Sequence, residues 1–571
     1  MDKLKALCLG LLSLSAFAQS TAPSYPRDYF RSPLDIPLLL SGSFGELRSN
    51  HFHAGLDFKT QQKEGFPVMA AADGYISRIK ISPFGYGKAI YIDHPNGYTT
   101  VYGHLQKGYG AVEEYIRKQQ YAQENFEIEV FPEPGELTVK KGDTIAWSGN
   151  TGGSAGPHLH FEIRNTKSEK IINPMLFGFD QWVADSRIPV LTSLMVYPIG
   201  PESSVNQSRR PVMVSLKLQS DGSYIADRIE AIGKIGFGVS TYDQSDANYT
   251  KHGVYRIRTY HNGSPGFGYE FDTFAFDESR YVNALLDYPR FRKTGMRLQK
   301  LFREAPYNLS LLDPGPDEGI VTVVPNLTDV CRIEIADFKG NTVNVHIPID
   351  YAPSEPTATP EPVKITPYFL KAGIDNIYRK DNVTVSFPAG TFYNDFYLDF
   401  AVDGNRLHLH DDSVPVHRNF TISIADATIP EADRKQTFIA TIEGSRRSYN
   451  ATKWEKGVFT TQTKDLGDFT LVRDTVAPVI KPLNFKEAKW ISKNKTLTVK
   501  IQDDVSGIQS YSGYLNGKWI LFEYDNKTKT LTYDFSDGNT VDGRNELRLV
   551  VTDNVGNSAI FETWFFRALT P

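Results

Sequence analysis

The sequence predicts a mainly β protein of several units, an antiparallel β domain at its N-terminal end followed by β-sandwich modules. Three observations carry this expectation. At 571 residues the chain is longer than one hydrophobic core organises. Its composition, 40% hydrophobic with 12% aromatic, is globular and rich in strand formers. Short alternating runs recur from residue 40 to the end, separated by Gly, Pro, Asn and Asp turn residues.

The first residues read as an export signal: Lys3 and Lys5, an apolar run from Ala6 to Leu14, then Ala16-Phe17-Ala18 before Gln19. That run is shorter than the roughly 20 residues a bilayer-spanning helix needs, and no later segment approaches that length. Cys8 sits inside the run, so cleavage after Ala18 leaves Cys331 without an intrachain partner. No tail resembling a wall-sorting or membrane anchor is expected before Pro571. The formal net charge of -5 provides no basic footprint for nucleic acid.

The mature chain from 19 to 188 is dense in short strands. Gly65 to Ile76 reads as two strands around the Asp73-Gly74 turn. Ala89 to His94 and Tyr98 to Leu105 read as a hairpin across Pro95-Asn96-Gly97, with His94 expected to be an exposed bystander and His104 closing the second strand. Residues 107–136 read as an insertion. Its Val112, Tyr115, Ile116 and Gln119 recur at helical spacing, and Phe126 to Phe131 alternates as a strand. The insertion either walls the cleft or packs away from it.

Gly149 to Pro157 is a glycine-rich turn, and His158 to Ile163 alternates as a strand, so His158 and His160 point the same way. Two neighbouring imidazoles need further ligands to hold an ion firmly. His53 and Asp57 share a face and can converge on one ion. A second His-Leu-His, at His408 and His410, has no glycine loop before it and reads as a solvated turn beside Asp411, Asp412 and His417. No His-Glu-x-x-His occurs, which excludes the helical zincin arrangement. Gly152-Gly153-Ser154-Ala155-Gly156 fits Gly-x-Ser-x-Gly, but that elbow needs a following helix, and here Pro157 and a strand follow.

Taken in order, H-A-G-L-D from His53, G-Y-T-T-V-Y-G-H-L from Gly97 and G-N-T-G-G-S-A-G-P-H-L-H-F-E-I-R from Gly149 resemble the M23, or lysostaphin/LytM-type, peptidases. The resemblance covers roughly residues 35 to 178. It implies an antiparallel β zinc endopeptidase that cuts the peptide part of bacterial peptidoglycan. By position, His53, Asp57 and His160 match the zinc ligands, and His104 and His158 match two catalytic histidines that do not hold the metal. Which of those two takes the proton and which steadies the oxyanion is left open. One zinc per chain on two imidazoles and one carboxylate keeps an open position for water. The alternative within the same resemblance is a non-catalytic protein that binds wall or activates an amidase. Such proteins typically lack one or more zinc ligands, whereas all five positions are intact here.

Beyond Pro189 the chain reads as a β-rich Ig-like module (189–350), a proline-rich linker (351–364), a β-rich module (365–473) and an Ig-like module (474–571). Ala336-Asp337-Phe338-Lys339-Gly340-Asn341 and Thr552-Asp553-Asn554-Val555-Gly556-Asn557 each sit between two strands as hairpin turns. These modules are expected to position the enzyme, on the wall's peptide stems or on a protein partner, rather than contribute to chemistry; the alternative is that the first of them packs on the peptidase and shapes its groove. Export without an anchor points to the periplasm, the cell envelope or secretion.

Overall fold

A computed structural model describes residues 25–568 apart from 247–248, 306, 326, 354–355 and 360–361. The leader (1–18), with Cys8, lies outside the described residues. Strand accounts for 47% of the chain and helix for 8%, so the mainly β class holds.

The first unit is built on one antiparallel sheet. Its strands are β1 (Leu40–Gly42), β2 (Leu56–Lys59), β3 (Gly74–Ile81), β4 (Lys88–Asp93), β5 (Tyr98–Gly103), β6 (Ile128–Val130) and β7 (His158–Asn165), in the order β1-β2-β7-β5-β4-β3-β6. The period of two in β7 separates its faces. Leu159, Phe161 and Ile163 are fully buried, Phe161 packing on Tyr102 and Phe179. The opposite face carries His158, His160, Glu162 and Arg164. Register then sets the site: His160 stands directly across from Asp57 on β2 and from Gly103 on β5, the residue before His104.

The helix expected in the insertion forms as α1 (Ala111–Gln123), burying Val112, Ile116 and Gln120. It packs away from the groove, towards the last β unit: Tyr121 Oη donates to Asp537 Oδ2 at 2.6 Å, and its ring meets Trp519 edge-on. His94 departs from expectation. It is buried rather than exposed, because Tyr29 and Phe30 of the N-terminal segment cover the hairpin end. Its ring nitrogens bond Asp73 O and Thr100 Oγ1, both at 2.8 Å.

Residues 190–351 form a second large sheet around the long antiparallel pair Val190–Val205 and Ile229–Tyr242. This sheet does not stand apart from the first. Ile171–Ile172 pairs with Thr273–Phe274, and one continuous core runs through both units. Phe271 and Phe274 pack on Phe52, and Phe274 packs on Phe44 as well. Gly45, at φ +75°, lies against Phe271, whose ring atoms are 2.3 Å from where a Cβ would stand, so a side chain there would break the contact. Of the two arrangements open from sequence, the structure has the one in which the second unit packs on the first.

Two five-stranded sheets enclose a separate core between residues 376 and 473, and two four-stranded sheets enclose another between 479 and 567. The last unit folds back onto the first. Glu523 pairs with Lys88 at 2.7 Å, and Leu521 joins the first core. Among the described residues no helix is long and apolar enough to cross a membrane.

Candidate metal centre and groove

His53 follows the short strand His51–Phe52 and is pinned by its backbone, with His53 N bonded to Glu46 O and Gly45 N to His53 O, both at 2.9 Å. Its Nδ1–H donates to Ser43 O at 2.8 Å, which turns Nε2 inward. There His53 Nε2, Asp57 Oδ1 and His160 Nδ1 lie 2.8–3.0 Å from one another, all three residues buried. His160 Nε2–H donates to Glu162 Oε1 at 2.8 Å.

This arrangement fits a zinc ion on its own geometry. Three donors from two imidazoles and a carboxylate meet at one point, and each imidazole has its other nitrogen held by an acceptor, which fixes the tautomer that presents a lone pair to a metal. His158 adds a further mark. Its Nε2 is buried, 3.4 Å from Asp57 Oδ1, without a hydrogen-bond partner among the described residues.

The remaining histidines are held from behind. His104 Nδ1–H donates to Thr151 O at 2.8 Å and His158 Nδ1–H to Gly156 O at 2.8 Å, so both rings turn Nε2 away from those carbonyls. Their ring centroids are 4.7 Å apart. His104 has φ +59°, uncommon for a residue with a Cβ, and its N–H is tied to Tyr86 O. Burial first, then the neighbouring His160 and His158, pushes His104 down to about 3, so it is neutral at ordinary pH.

Charges around the centre are matched. Arg48 Nη2 donates to Asp57 Oδ2 at 2.6 Å, leaving Oδ1 for the convergence point. Although burial opposes it, the surrounding imidazoles of His53, His158 and His160 hold Asp57 well below the usual carboxylate range. Behind His160, Glu162 is fully buried and doubly bonded to Arg164, at 2.6 and 2.7 Å; against the opposing pull of burial, the Arg164 charge and the His160 bond bring it down to about 2. Tyr86 donates to Glu162 and stacks on His160.

The centre opens into a groove of about 680 Å³ lined in part by Glu46, Arg48, Lys59, Gln62, His104 and His158. Among the described lining residues none comes from 107–136. The glycine-rich loop forms one wall. Gly152, at φ +70°, lies where a Cβ would be 2.3 Å from Gly87 N, which locks the loop onto the β3–β4 turn. Ser154 Oγ donates to Gly156 O, a turn contact.

All five positions singled out from sequence therefore lie together. Sequence reasoning missed Arg48, Tyr86 and Glu162. Glu162 had a signal, since it continues the even-numbered face of His158 and His160. The second His-Leu-His does not assemble a site: His408 bonds Asp468 at 2.7 Å, and His410 Nδ1 accepts from the Asp399 backbone.

Comparison with known proteins agrees with this geometry. Residues 51–122 and 133–174 match the model of Peptidase family M23, and residues 367–474 match that of a Zu5-like domain. An uncharacterized metalloprotease of Haemophilus influenzae is 36% identical over 155 residues, 26% of this chain and 27% of that protein. The DD-carboxypeptidase/endopeptidase Mpg of Neisseria meningitidis is 36% identical over 118 residues, 21% of each chain. The peptidoglycan DD-endopeptidase ShyC of Vibrio cholerae is 32% identical over 143 residues, 24% of this chain and 26% of that one. The chain thus aligns with about a quarter of the length of these relatives, and over that stretch it carries an M23 peptidase domain.

Proposed function

We propose that the protein is an exported zinc endopeptidase that hydrolyses the peptide cross-links of bacterial peptidoglycan. The observation that carries this reading is the convergence of His53, Asp57 and His160 on one point, with the free imidazoles of His104 and His158 beside it in an open groove.

His53, Asp57 and His160 hold the ion. Bound there, zinc supplies Lewis-acid polarisation of the scissile carbonyl and brings the pKa of water down to roughly 7. His104 and His158 divide the two remaining tasks, accepting the proton of the attacking water and stabilising charge on the carbonyl oxygen. Both are suited to this because their Nδ1–H groups are committed to backbone carbonyls, so each presents Nε2 to the reaction. Ser43 and Glu162 orient the ligand imidazoles, and Arg48 holds the second oxygen of Asp57. The mixed charge of the groove, with Glu46, Arg48 and Lys59 along it, suits a peptide stem bearing both carboxylates and amines.

Cleavage of peptidoglycan requires a location outside the cytoplasm, and the N-terminal leader, removed after Ala18, supplies the export signal to the periplasm or cell envelope. The β-rich unit at 365–473 and the Ig-like module at 474–571 position the enzyme on the wall or on a protein partner.

Single substitutions separate holding from chemistry. Asp57→Ala should lose the groove zinc, measured by elemental analysis. His104→Ala and His158→Ala should keep it while cleavage falls by about 10²–10⁴-fold. Retention of full zinc by Asp57→Ala, or normal cleavage by both histidine variants, contradicts the assignment.

A further inference from the structure

A second cluster of metal-type ligands lies where the first two units meet, apart from the groove. Asp185 belongs to the segment that leaves the first unit. Asp243 follows the strand Ile229–Tyr242, and His252 pairs with it across an isolated bridge. One ligand atom from each of the three falls within 4.8 Å of the others. Three donors on a common ion at about 2.1 Å lie roughly 3.4–3.6 Å apart, so the set closes when the side chains draw in by up to about an ångström.

Asp243 makes this more than an acidic cluster. It is 2% exposed, and its Oδ1 has no hydrogen-bond partner among the described residues. Its Oδ2 has His252 Nδ1 at 3.9 Å, beyond hydrogen-bond reach. A buried carboxylate left in that state is costly unless a cation answers it. Burial first, then the carboxylates of Asp185 and Asp337, pushes Asp243 up to about 8.

The neighbours are arranged as a metal site arranges them. His252 Nε2 lies 3.1 Å from Ser245 Oγ and its Nδ1 3.3 Å from Gly253 O, so the tautomer that donates Nε2–H to Ser245 exchanges the long Gly253 contact for an Nδ1 lone pair on the Asp243 side. Asp337 is not a ligand, because its two oxygens accept from Asn341 N and Asn341 Nδ2 at 2.9 and 2.6 Å. The adjoining cavity, about 40 Å³, also has Asp185, Asp243 and His252 in its wall and has room for an ion with a water.

We propose that Asp185, Asp243 and His252 bind a divalent first-row cation, a second metal site that ties the segment leaving the first unit to the second. Two carboxylates and one imidazole favour manganese or zinc over the harder calcium or magnesium. The site also reaches the groove. Gly253, next to His252, accepts from Ser43 Oγ at 3.0 Å, and Ser43 O is the acceptor that orients His53. The cation therefore braces the carbonyl behind a zinc ligand.

The test uses the full chain, stripped with chelator and reloaded with one equivalent of zinc to fill the groove. Mn2+ is then titrated by electron paramagnetic resonance, with thermal unfolding followed in parallel. The expected result is saturable binding of one Mn2+ per chain, accompanied by a rise in melting temperature. Both effects should vanish in Asp243→Asn. Asp185→Asn, a change at a half-buried position, serves as the second variant if Asp243→Asn misfolds, and it too should lose the binding. In the cation-free chain Asp243→Asn should melt close to wild type at neutral pH, since a carboxyl pushed up to about 8 is there largely protonated and the amide matches its size and neutrality. Absence of saturable Mn2+ binding to the wild type, or binding that survives both substitutions, overturns the proposal.

Discussion

Glu162→Gln tests how the groove is built, because one carboxylate serves three partners there, His160, Arg164 and Tyr86. Glu162 is fully buried, accepting from His160 on one oxygen and from Arg164 on the other. The amide keeps the size of the side chain but removes the charge. For the metal, loss of a partner that orients a ligand typically weakens affinity about 10–100-fold, about 1.4–2.7 kcal/mol. For the fold, breaking a buried pair by removing one member costs about 3–5 kcal/mol. The lower end is expected, because Arg164 keeps Glu169 at 3.1 Å and lies over the rings of Tyr91 and Phe276.

The pH dependence has a definite sign. The folded pKa of Glu162 is depressed to about 2 from 4.5, so its stabilisation is complete above the unfolded value and is lost as pH falls through the folded one. Chelator competition measures the zinc affinity, and denaturant unfolding of the metal-free chain at pH 7 and pH 3 measures the stability. The variant should be the less stable at pH 7, with the gap narrowing at pH 3. Glu169→Gln is the control: its side chain is 62% exposed, and the change should cost no more than about 1 kcal/mol. Unchanged zinc affinity together with equal stability of Glu162→Gln and wild type would refute the role given to this residue.

Two further outcomes follow from contacts between units. Lys527 Nζ donates to Asn150 O and, at 3.1 Å, to Ser154 O, so the last unit holds the groove's glycine-rich wall. Lys527→Ala should keep the groove zinc and lower the cleavage rate by at most about tenfold, the equivalent of ~1.4 kcal/mol; a rate equal to wild type on small fragments and on whole wall would show that the contact is idle. A chain ending at Arg187 exposes Phe44 and Phe52, each worth about 1.5–3 kcal/mol of burial, and should melt well below the full chain in calorimetry. An unchanged melting transition would mean that the first unit does not depend on the second.

The parts legible in the sequence were those written in local pattern. Alternation from His158 to Ile163 gave the strand, its polar face and the pairing of two imidazoles, and the spacing of His53 and Asp57 gave their convergence. Glu162 was equally legible on that face, but a carboxylate on a strand reads as solvated until Arg164 and His160 are seen to bury it. Arg48 and Tyr86 reach the centre only through tertiary packing, which no local spacing records. His94 was misread for the same reason: a residue beside a turn is usually exposed, and Tyr29 and Phe30, more than 60 residues earlier, cover it. The union of the first two units hangs on Phe271 and Phe274, whose contacts with Phe44 and Phe52 are tertiary and leave no mark in local pattern.

The central claim, hydrolysis of peptide cross-links by the His53, Asp57 and His160 centre, is tested most directly by digesting purified peptidoglycan with the zinc-loaded chain and resolving the muropeptides by mass spectrometry. The account predicts that cross-linked dimers fall and monomers rise, that chelator stops the change and that added zinc restores it. Dimers that persist unchanged in the presence of folded, zinc-loaded protein would contradict it.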